Sequence, residues 1–361
     1  AMNNQSLTIL LVGSGAREHA LAKAISRSSR SHKLVSFGSA MNPGIAELSA
    51  YYVSGNINDP EVVADFAAKQ EVDLAIVGPE APLETGVADK LWEIGIPVVG
   101  PKRELAMLET SKQFTRNLMA DYDIPGCPAF KHFSDLSGVS EFLETLGENY
   151  VVKADGLMGG KGVKVSGDHL QSHEEASQYC QELCDAASTY VIEEKCIGEE
   201  FSMFSFCDGT TLKHMPPVQD HKRAYVGDKG PNTGGMGTVS GNLHFLQKND
   251  ITIAQAINTE ILHALNLEVS ENYGYKGILY GSFMKTNSGE IKVIEYNCRF
   301  GDPESINVLT LLKTPLLDIF NHIINKTLSE IDIEFENLCT ICKYLVPNGY
   351  PNNPVKNQKF T

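Results

Sequence analysis

LTILLVGSGAREHALAKAIS, residues 7–26, is the stretch on which the fold turns. Leu7 to Val12 is a short, mostly apolar run that ends on Gly13 and Gly15, and beyond it Ala20, Leu21, Ala24 and Ile25 recur at helical spacing. Such a succession reads as strand, tight turn and helix. The cycle continues with KLVSFGSA (33–40), the helical EVVADFAAKQ (61–70), the apolar DLAIVGPE (73–80), the helical GVADKLWEIG (86–95) and IPVVGP (96–101). Strands alternating with helices imply right-handed parallel crossovers, so residues 1–103 are expected to form a doubly wound parallel sheet.

Beyond Pro101 the texture changes. A polar helix is expected over RELAMLETSKQFTRNLMADY (103–122), closed by the Pro/Gly-rich IPGCPAF (124–130). YVVKADG (150–156) and GVKVSG (162–167) read as a hairpin around a glycine-rich turn, HEEASQYCQELCDA (173–186) as a helix, and TYVIEEKC (189–196) as a strand. FSMFSFCDGTTLKHMPPV (201–218) alternates with period two around an Asp-Gly turn, the signature of an antiparallel hairpin. Residues 219–242 read as a long glycine-rich loop, a length that compact domains keep for function or leave disordered. A helix over about 248–265, strands YGSFMKT (280–286) and IKVIEYN (291–297), a helix over 303–325 and a buried strand in LCTICKYLV (338–346) complete the pattern.

Composition bounds the function. The 361 residues carry 30 Lys+Arg against 45 Asp+Glu, a formal charge of −15, which argues against nucleic acid or an acidic membrane as partner. No apolar run reaches the ~18 residues of a membrane span, and nothing at the N-terminus reads as a signal peptide, so a cytoplasmic protein is expected. Eight scattered cysteines read as free thiols, and Cys339-x-x-Cys342, without further ligands at metal spacing, as packing rather than zinc.

Four segments could carry chemistry. Gly13-Ser14-Gly15-Ala16-Arg17-Glu18 joins a strand to a helix N-terminus, a place for an anion, with a ligand-free turn as the alternative. A dinucleotide fingerprint needs glycine where Glu18 stands, which weakens NAD binding. Lys153-Ala154-Asp155-Gly156-Leu157-Met158-Gly159-Gly160-Lys161-Gly162-Val163 is a lysine-flanked glycine flap suited to polyphosphate, and it is not a Walker loop. In Glu295-Tyr296-Asn297-Cys298-Arg299, strand alternation puts two oxygen ligands and an arginine on one face, an arrangement suited to magnesium beside phosphates. Gln219-Asp220-His221-Lys222-Arg223, running into Gly230–Gly237, suits a small zwitterion or a phosphoryl group, and spacing alone leaves a disordered loop equally open. No G-x-S-x-G elbow or Cys–His pair supports a protein nucleophile.

The order of these motifs resembles a known family. GSGAREHALA, NPGIA, IVGPEAPLETG, SKQFTR, VVKADGLMGGKGV, VIEEKCIGEE, QDHKRAYVGDKGPNTGGMG and KVIEYNCRFGDPE are similar to the phosphoribosylamine–glycine ligases of the ATP-grasp superfamily, from about residue 7 to about residue 351. The resemblance implies a multidomain α/β and α+β architecture. The doubly wound N-terminal domain (1–103) would be the pre-ATP-grasp domain, followed by an ATP-grasp domain (104–328) with a mobile lid at about 124–193. Residues 329–361 would be the start of a C-terminal domain that is largely cut short. It implies ATP-dependent ligation of glycine to 5-phosphoribosylamine through glycyl phosphate, with magnesium or manganese, in purine biosynthesis.

By the same resemblance ATP would be held by Lys112, Lys153, Asp155, Gly156, Gly159, Gly160, Lys161, Gly162 and Val163. Glu193, Glu194, Lys195 and Cys196 would read the adenine and Glu200 the ribose. Glu295 and Asn297 would be the metal ligands. Gly15, Arg17, Glu18, Asn42, Gly44, Gly78, Glu80 and Pro82 would line the ribosylamine cleft. Asp220, Lys222, Arg223, Pro231, Asn232, Thr233, Gly234, Gly235, Arg299 and Gly301 would hold glycine and its phosphate, with Arg299, Asp220 and Lys153 catalytic. A monomer is expected, with a weak dimer as the alternative. Rival readings are an ATP-grasp ligase for another acid or amine, a nicotinamide-dependent oxidoreductase, and a binding protein without turnover.

Overall fold

A computed structural model describes residues 5–158, 161–269 and 274–359. Five strands, β1 (Leu7–Val12), β2 (His32–Gly38), β3 (Tyr51–Ser54), β4 (Leu74–Val77) and β5 (Val98–Val99), form a parallel sheet in the order β3-β2-β1-β4-β5. Sequence periodicity passes over β3, whose four residues are too few and too exposed to alternate clearly. Local chemistry sets the helix starts: Asp59 accepts the N–H groups of Glu61 and Val62, with Pro60 at the first helical position of Pro60–Lys69. Because the strand order reverses at β1 and β4, a crevice opens past their C-terminal ends, where Gly13 and Gly78 stand.

The second sheet contains β6 (Phe130–Phe133), β7 (Tyr150–Ala154), β8 (Val163–Val165) and β9 (Tyr190–Glu194), antiparallel in the order β6-β9-β7-β8. Helices Val139–Leu146 and His173–Asp185 cover it and share a separate core with it, built on Phe133, Leu143, Tyr150, Tyr179, Tyr190 and Ile192. A unit with its own core can move as one body.

In the third sheet, β10 (Gly198–Asp208), β11 (Leu212–His214), β12 (Val218–Tyr225), β13 (Lys229–Ser240), β14 (Lys276–Thr286), β15 (Ile291–Asn297) and β16 (Thr340–Lys343) run β15-β14-β10-β12-β13-β16, with β11 also on β10. Alternation along β10 serves both faces. Phe201 and Met203 pack with helix Lys248–Glu268, whereas Phe204 and Phe206 pack with helices Glu304–Leu311 and Leu316–Ile324. This sheet also meets the N-terminal one backbone to backbone: Gly100 N–H donates to the Lys276 carbonyl at 2.8 Å, and a Cβ on Gly277 would lie 3.2 Å from Gly100 Cα. Only glycine permits that approach.

Four expectations change. Residues 219–242 are not a loop but most of β12 and β13, a hairpin whose glycines mask the two-residue period. The polar helix splits at Ser111, whose hydroxyl accepts the Phe114 N–H and so starts a new helix, Lys112–Asp121. The helix expected over 303–325 is likewise two, broken before Pro315. The stretch 338–346 is an edge strand rather than a buried one: β16 pairs with β13 and leaves Ile341 79 % exposed.

Candidate active site

The C-terminal end of β15 is where the sheets meet. Glu295 and Asn297 share one face of this strand, paired opposite Ser282 and Tyr280 of β14. Lys112, Lys153, Lys222 and Arg299 all act on the Glu295 carboxylate. Burial would push its pKa up, but these cations outweigh burial and hold it below the usual carboxylate range. Each cation arrives on a different element: Lys112 at a helix start, Lys153 on β7, Lys222 on β12 and Arg299 just past β15.

Lys112 Nζ donates to the Gly156 carbonyl at 3.0 Å, and its backbone N–H donates to Asp155 Oδ1 at 2.6 Å. Asp155 thus ties the glycine flap to the start of helix Lys112–Asp121. Gly156, Gly162 and Val163 lie in the same flap with Lys161 exposed, whereas Gly159 and Gly160 fall outside the described residues. Lys153 Nζ donates to the Ile294 carbonyl at 3.2 Å and pairs with Glu193.

Glu193 is 3 % exposed and also accepts Arg116 Nε at 2.7 Å. Burial alone would raise its pKa, but Arg116 and Lys153 hold it at about 2. Its carboxylate is therefore spent on fastening β9 to helix Lys112–Asp121, and only its backbone is left to face a base. Glu194 Oε1 accepts the Ala129 N–H at 3.1 Å, and the Lys195 N–H donates to the Asn149 carbonyl at 3.1 Å. Cys196 follows before β10 begins at Gly198, and Glu200 on β10 faces Lys222 and Asp220.

Two arginines turn out to be committed. Arg299 lies between Glu80, with Nε at 3.2 Å, and Glu109, with Nη2 at 3.1 Å, and its guanidinium stands 5.9 Å from the Tyr280 ring centre. It joins the crevice of the parallel sheet to the end of β15, and Glu109, which no motif flagged, also accepts the Cys298 N–H. Arg223 donates to Asp168 Oδ2 at 2.7 Å and to the Gly230 carbonyl at 2.9 Å, linking the β12–β13 hairpin to the β8 edge of the second sheet. This pair is partly exposed, so Asp168→Asn should lower the free energy of unfolding by less than about 1 kcal/mol. Amide exchange over residues 161–170 should quicken; unchanged protection there would show that the contact holds nothing.

The crevice gathers the first motif. Arg17, 7 % exposed, donates to Glu18 at 2.8 Å and to the Phe300 carbonyl at 3.1 Å. Glu18 lies folded beneath the turn: a Cβ on Gly13 would stand 2.3 Å from its Oε1, and one on Gly78 2.7 Å from its Cδ. Asn42 donates from Nδ2 to the Ser14 carbonyl at 3.0 Å, and a Cβ on Gly44 would meet the His19 ring. Glu80 and Pro82 begin the short helix on the opposite wall. The Gly13 N–H donates to the Phe37 carbonyl at 2.9 Å and the Gly15 N–H to Glu18 Oε1 at 3.4 Å, so the two glycine donors of the turn are, like Arg17, engaged within the protein.

Across the sheet, Thr233 Oγ1 donates to the Lys222 carbonyl at 2.8 Å and fixes the strand carrying Pro231, Asn232, Gly234 and Gly235. Asp220 sits against Glu304, and burial first, then that neighbour, push its pKa up to about 8. Gly301 packs on Glu304 and Tyr280. Glu109 and Tyr280 lie outside the quoted motifs, and Arg116 and Glu304, at the ends of SKQFTR and KVIEYNCRFGDPE, were given no role of their own. For Glu109 a charged residue within an apolar helical pattern was the only signal, and Tyr280 in its strand gave none.

Glu295 and Asn297 are hard oxygen donors. Among the described residues Glu295 accepts no hydrogen bond, and Asn297 Oδ1 has only Arg299 Nη2 at 3.5 Å. No group of three or more His, Cys, Asp or Glu among the described residues is arranged for a metal. The pair thus fits a magnesium-type ion that draws its other ligands from phosphate and water.

Comparison with known proteins gives the family. Residues 7–109 match the N domain of phosphoribosylglycinamide synthetase and residues 110–305 its ATP-grasp (A) domain. A phosphoribosylamine–glycine ligase of Methanosarcina barkeri is 46 % identical over 98 % of this chain and 82 % of its own length. One from Methanocaldococcus jannaschii is 46 % identical over 98 % and 81 %. The crystal structure of phosphoribosylamine–glycine ligase from Thermotoga maritima superposes with a TM-score of 0.80 at 26 % identity, covering 97 % of this chain and 83 % of that one. With both domain matches contiguous and the motif residues gathered at the junction of the three sheets, the chain belongs to the phosphoribosylglycinamide synthetase family.

Proposed function

We infer that the site around Glu295 carries out the reaction of this family: ATP-dependent joining of glycine to 5-phosphoribosylamine, giving glycinamide ribonucleotide, ADP and phosphate in purine biosynthesis. The observation that carries the reading is the convergence of Lys112, Lys153, Lys222 and Arg299 on one carboxylate. These cations come from segments up to 187 residues apart, beside a crevice suited to a sugar phosphate.

A carboxylate is a poor electrophile. Glycine's oxygen first attacks the γ-phosphoryl group, glycyl phosphate forms, and the ribosylamine nitrogen then displaces phosphate through a tetrahedral intermediate. Such a transfer asks for positioning and charge neutralisation rather than a protein nucleophile. Lys112, Lys153 and the flap over 155–163 hold the triphosphate. The 193–196 segment receives the adenine and Glu200 the ribose. Glu295 and Asn297 would hold magnesium, or manganese in its place, which neutralises phosphate charge when bound.

Arg299 and Asp220 act on glycine and its phosphate. Arg17 serves the ribosylamine site as a strut that binds the Gly13–Gly15 turn to Phe300, and the phosphate is taken at the N-terminus of helix Ala16–Ser26. In this reading residues 1–103 form the substrate domain, 104–328 the ATP-grasp domain with its lid at 124–193, and 329–361 the start of a third. Closure of the lid shields glycyl phosphate from water. The protein works as a monomer in the cytoplasm. Among the described residues no helix is long and apolar enough to cross a membrane.

The deciding measurement is ADP release that requires both glycine and phosphoribosylamine. Release with either substrate alone, or with a different acid in preference to glycine, would overturn the assignment.

A further inference from the structure

One turn joins the two halves of the site. Residues 300–304 run from the end of β15 to the start of helix Glu304–Leu311, and the turn is fastened at both ends. The Phe300 carbonyl accepts Arg17 Nη1 at 3.1 Å, and the Ser305 N–H donates to the Gly301 carbonyl at 3.1 Å. Asp302 stands on the crevice side, where a Cβ on Gly15 would lie 3.5 Å from its Oδ2. Pro303 and Glu304 stand on the other side, against Gly235 and Asp220 of the β12–β13 hairpin. Asp302 therefore lies between the turn that opens helix Ala16–Ser26 and the strands assigned above to glycine.

Other carboxylates at this crevice are spent on cations: Glu18 pairs with Arg17, and Glu80 with Arg299. Asp302 has no ion pair among the described residues. Its Oδ1 accepts the Tyr344 hydroxyl, whereas its Oδ2 accepts no hydrogen bond among them and is not sealed from solvent. Tyr344 is itself fixed, since its N–H donates to the Met236 carbonyl of β13 at 3.0 Å, one residue past the β13–β16 pairing. The segment after β16 thus aims one oxygen of Asp302 and leaves the other bare toward the crevice.

The second half of the reaction has a proton to lose. When the ribosylamine nitrogen attacks the carbonyl carbon of glycyl phosphate, a C–N bond forms and the nitrogen becomes positively charged. The amide results once that nitrogen gives up a proton, keeping the N–H electron pair, and the C–O bond to phosphate breaks with its pair leaving on phosphate. A carboxylate within reach of the nitrogen takes such a proton.

We propose that Asp302, aimed by Tyr344, is the general base that takes this proton from the attacking amine. Asp302 is then a catalytic residue of the second half-reaction and Tyr344 its positioning residue. The inference rests on the ligase reading above and deepens it. The carboxylic acid formed on Asp302 returns its proton to water when the product leaves.

The test is steady-state ligation with phosphoribosylamine supplied from ribose 5-phosphate and ammonia, alongside calorimetry with ribose 5-phosphate, which keeps the sugar phosphate and lacks the amine. Asp302→Asn keeps the shape and an acceptor for Tyr344 but removes the base. Its kcat should fall about a hundredfold, with the KM values for ATP, glycine and phosphoribosylamine within about threefold. Ribose 5-phosphate should bind it as it binds the parent. Asp302→Glu, which restores a carboxylate, should recover part of the loss. Tyr344→Phe should lower kcat about tenfold with the same KM values, the effect of one lost hydrogen bond.

A kcat within about threefold of the parent's in Asp302→Asn would overturn the proposal and leave the ligase reading standing. So would a loss confined to the KM for phosphoribosylamine or to ribose 5-phosphate affinity, which would make Asp302 a charge that only shapes the crevice. Should Asp302→Asn not fold, an unchanged kcat in Tyr344→Phe overturns the proposal by itself. A parent protein that makes no glycinamide ribonucleotide from the three substrates would overturn both.

Discussion

Glu295→Ala is expected to abolish ligation, with kcat/KM falling by about a thousandfold or more, while circular dichroism and the unfolding midpoint stay close to those of the parent. Losing one preorganised charge contact in a phosphoryl- or acyl-transfer site costs roughly 10²–10³ in rate. Glu295 is expected to lie at the upper end because it is the counter-charge to four cations and, in the proposed function, also half of the oxygen pair for the metal. The fold should tolerate the change, since the side chain is only partly buried and accepts no hydrogen bond among the described residues.

Glu295→Gln separates shape from charge: it keeps an oxygen at the site and removes the anion, so it too should be nearly inactive. The cations hold its pKa low, so Glu295 stays ionised at neutral pH and an acid limb above about pH 5 belongs to another group. Turnover near the parent's in either variant would remove Glu295 from the metal site.

The second large effect is on stability. Arg116→Met is expected to cost about 3–5 kcal/mol in urea unfolding, the range for breaking a buried ion pair from one side. Arg116 is 3 % exposed and donates to both Glu193 oxygens, at 2.7 and 3.2 Å, and to the carbonyls of Val293 and Ile294 at 3.0 and 2.6 Å. One guanidinium therefore joins helix Lys112–Asp121, β9 of the second sheet and β15. Its loss leaves Glu193 and the Ile294 carbonyl with Lys153 alone and removes a donor from the Val293 carbonyl.

The pH dependence follows in sign. Glu193 titrates at about 2 in the folded protein, below its unfolded value, so its contribution is complete above about pH 4.5 and is lost as pH falls toward 2. In Arg116→Met the folded value rises and that acid-sensitive window should narrow. Removing both charges, as Arg116→Met with Glu193→Leu, should recover part of the loss. A single-variant cost under about 1 kcal/mol would show that the pair is not structural.

Failures of sequence reading have the same origin in different places. The β12–β13 hairpin was hidden because glycines at 227, 230, 234, 235 and 237 erase side-chain alternation. Its strand character comes from pairing with β10 and β16, which no local pattern records. Arg17, Arg223 and Arg299 looked like free ligand-binding cations. Each is held by protein oxygens, since a charge's availability depends on partners up to 283 residues away. Glu304 closes the motif KVIEYNCRFGDPE yet was given no role, because only the Tyr280, Gly301 and Asp220 packed around it in space set its surroundings.

What the chain's order of residues determined by itself is whatever depends on near neighbours. The strand–turn–helix cycles of residues 7–101, the glycine turn after β1, the lysine-flanked flap and the shared face of Glu295 and Asn297 all follow from periodicity and backbone freedom within a few residues. Only the tertiary structure decided which charges meet and which are spent on one another. Coulomb and desolvation energies depend on distance and burial in space, and those are set by how the three sheets pack, not by separation along the chain.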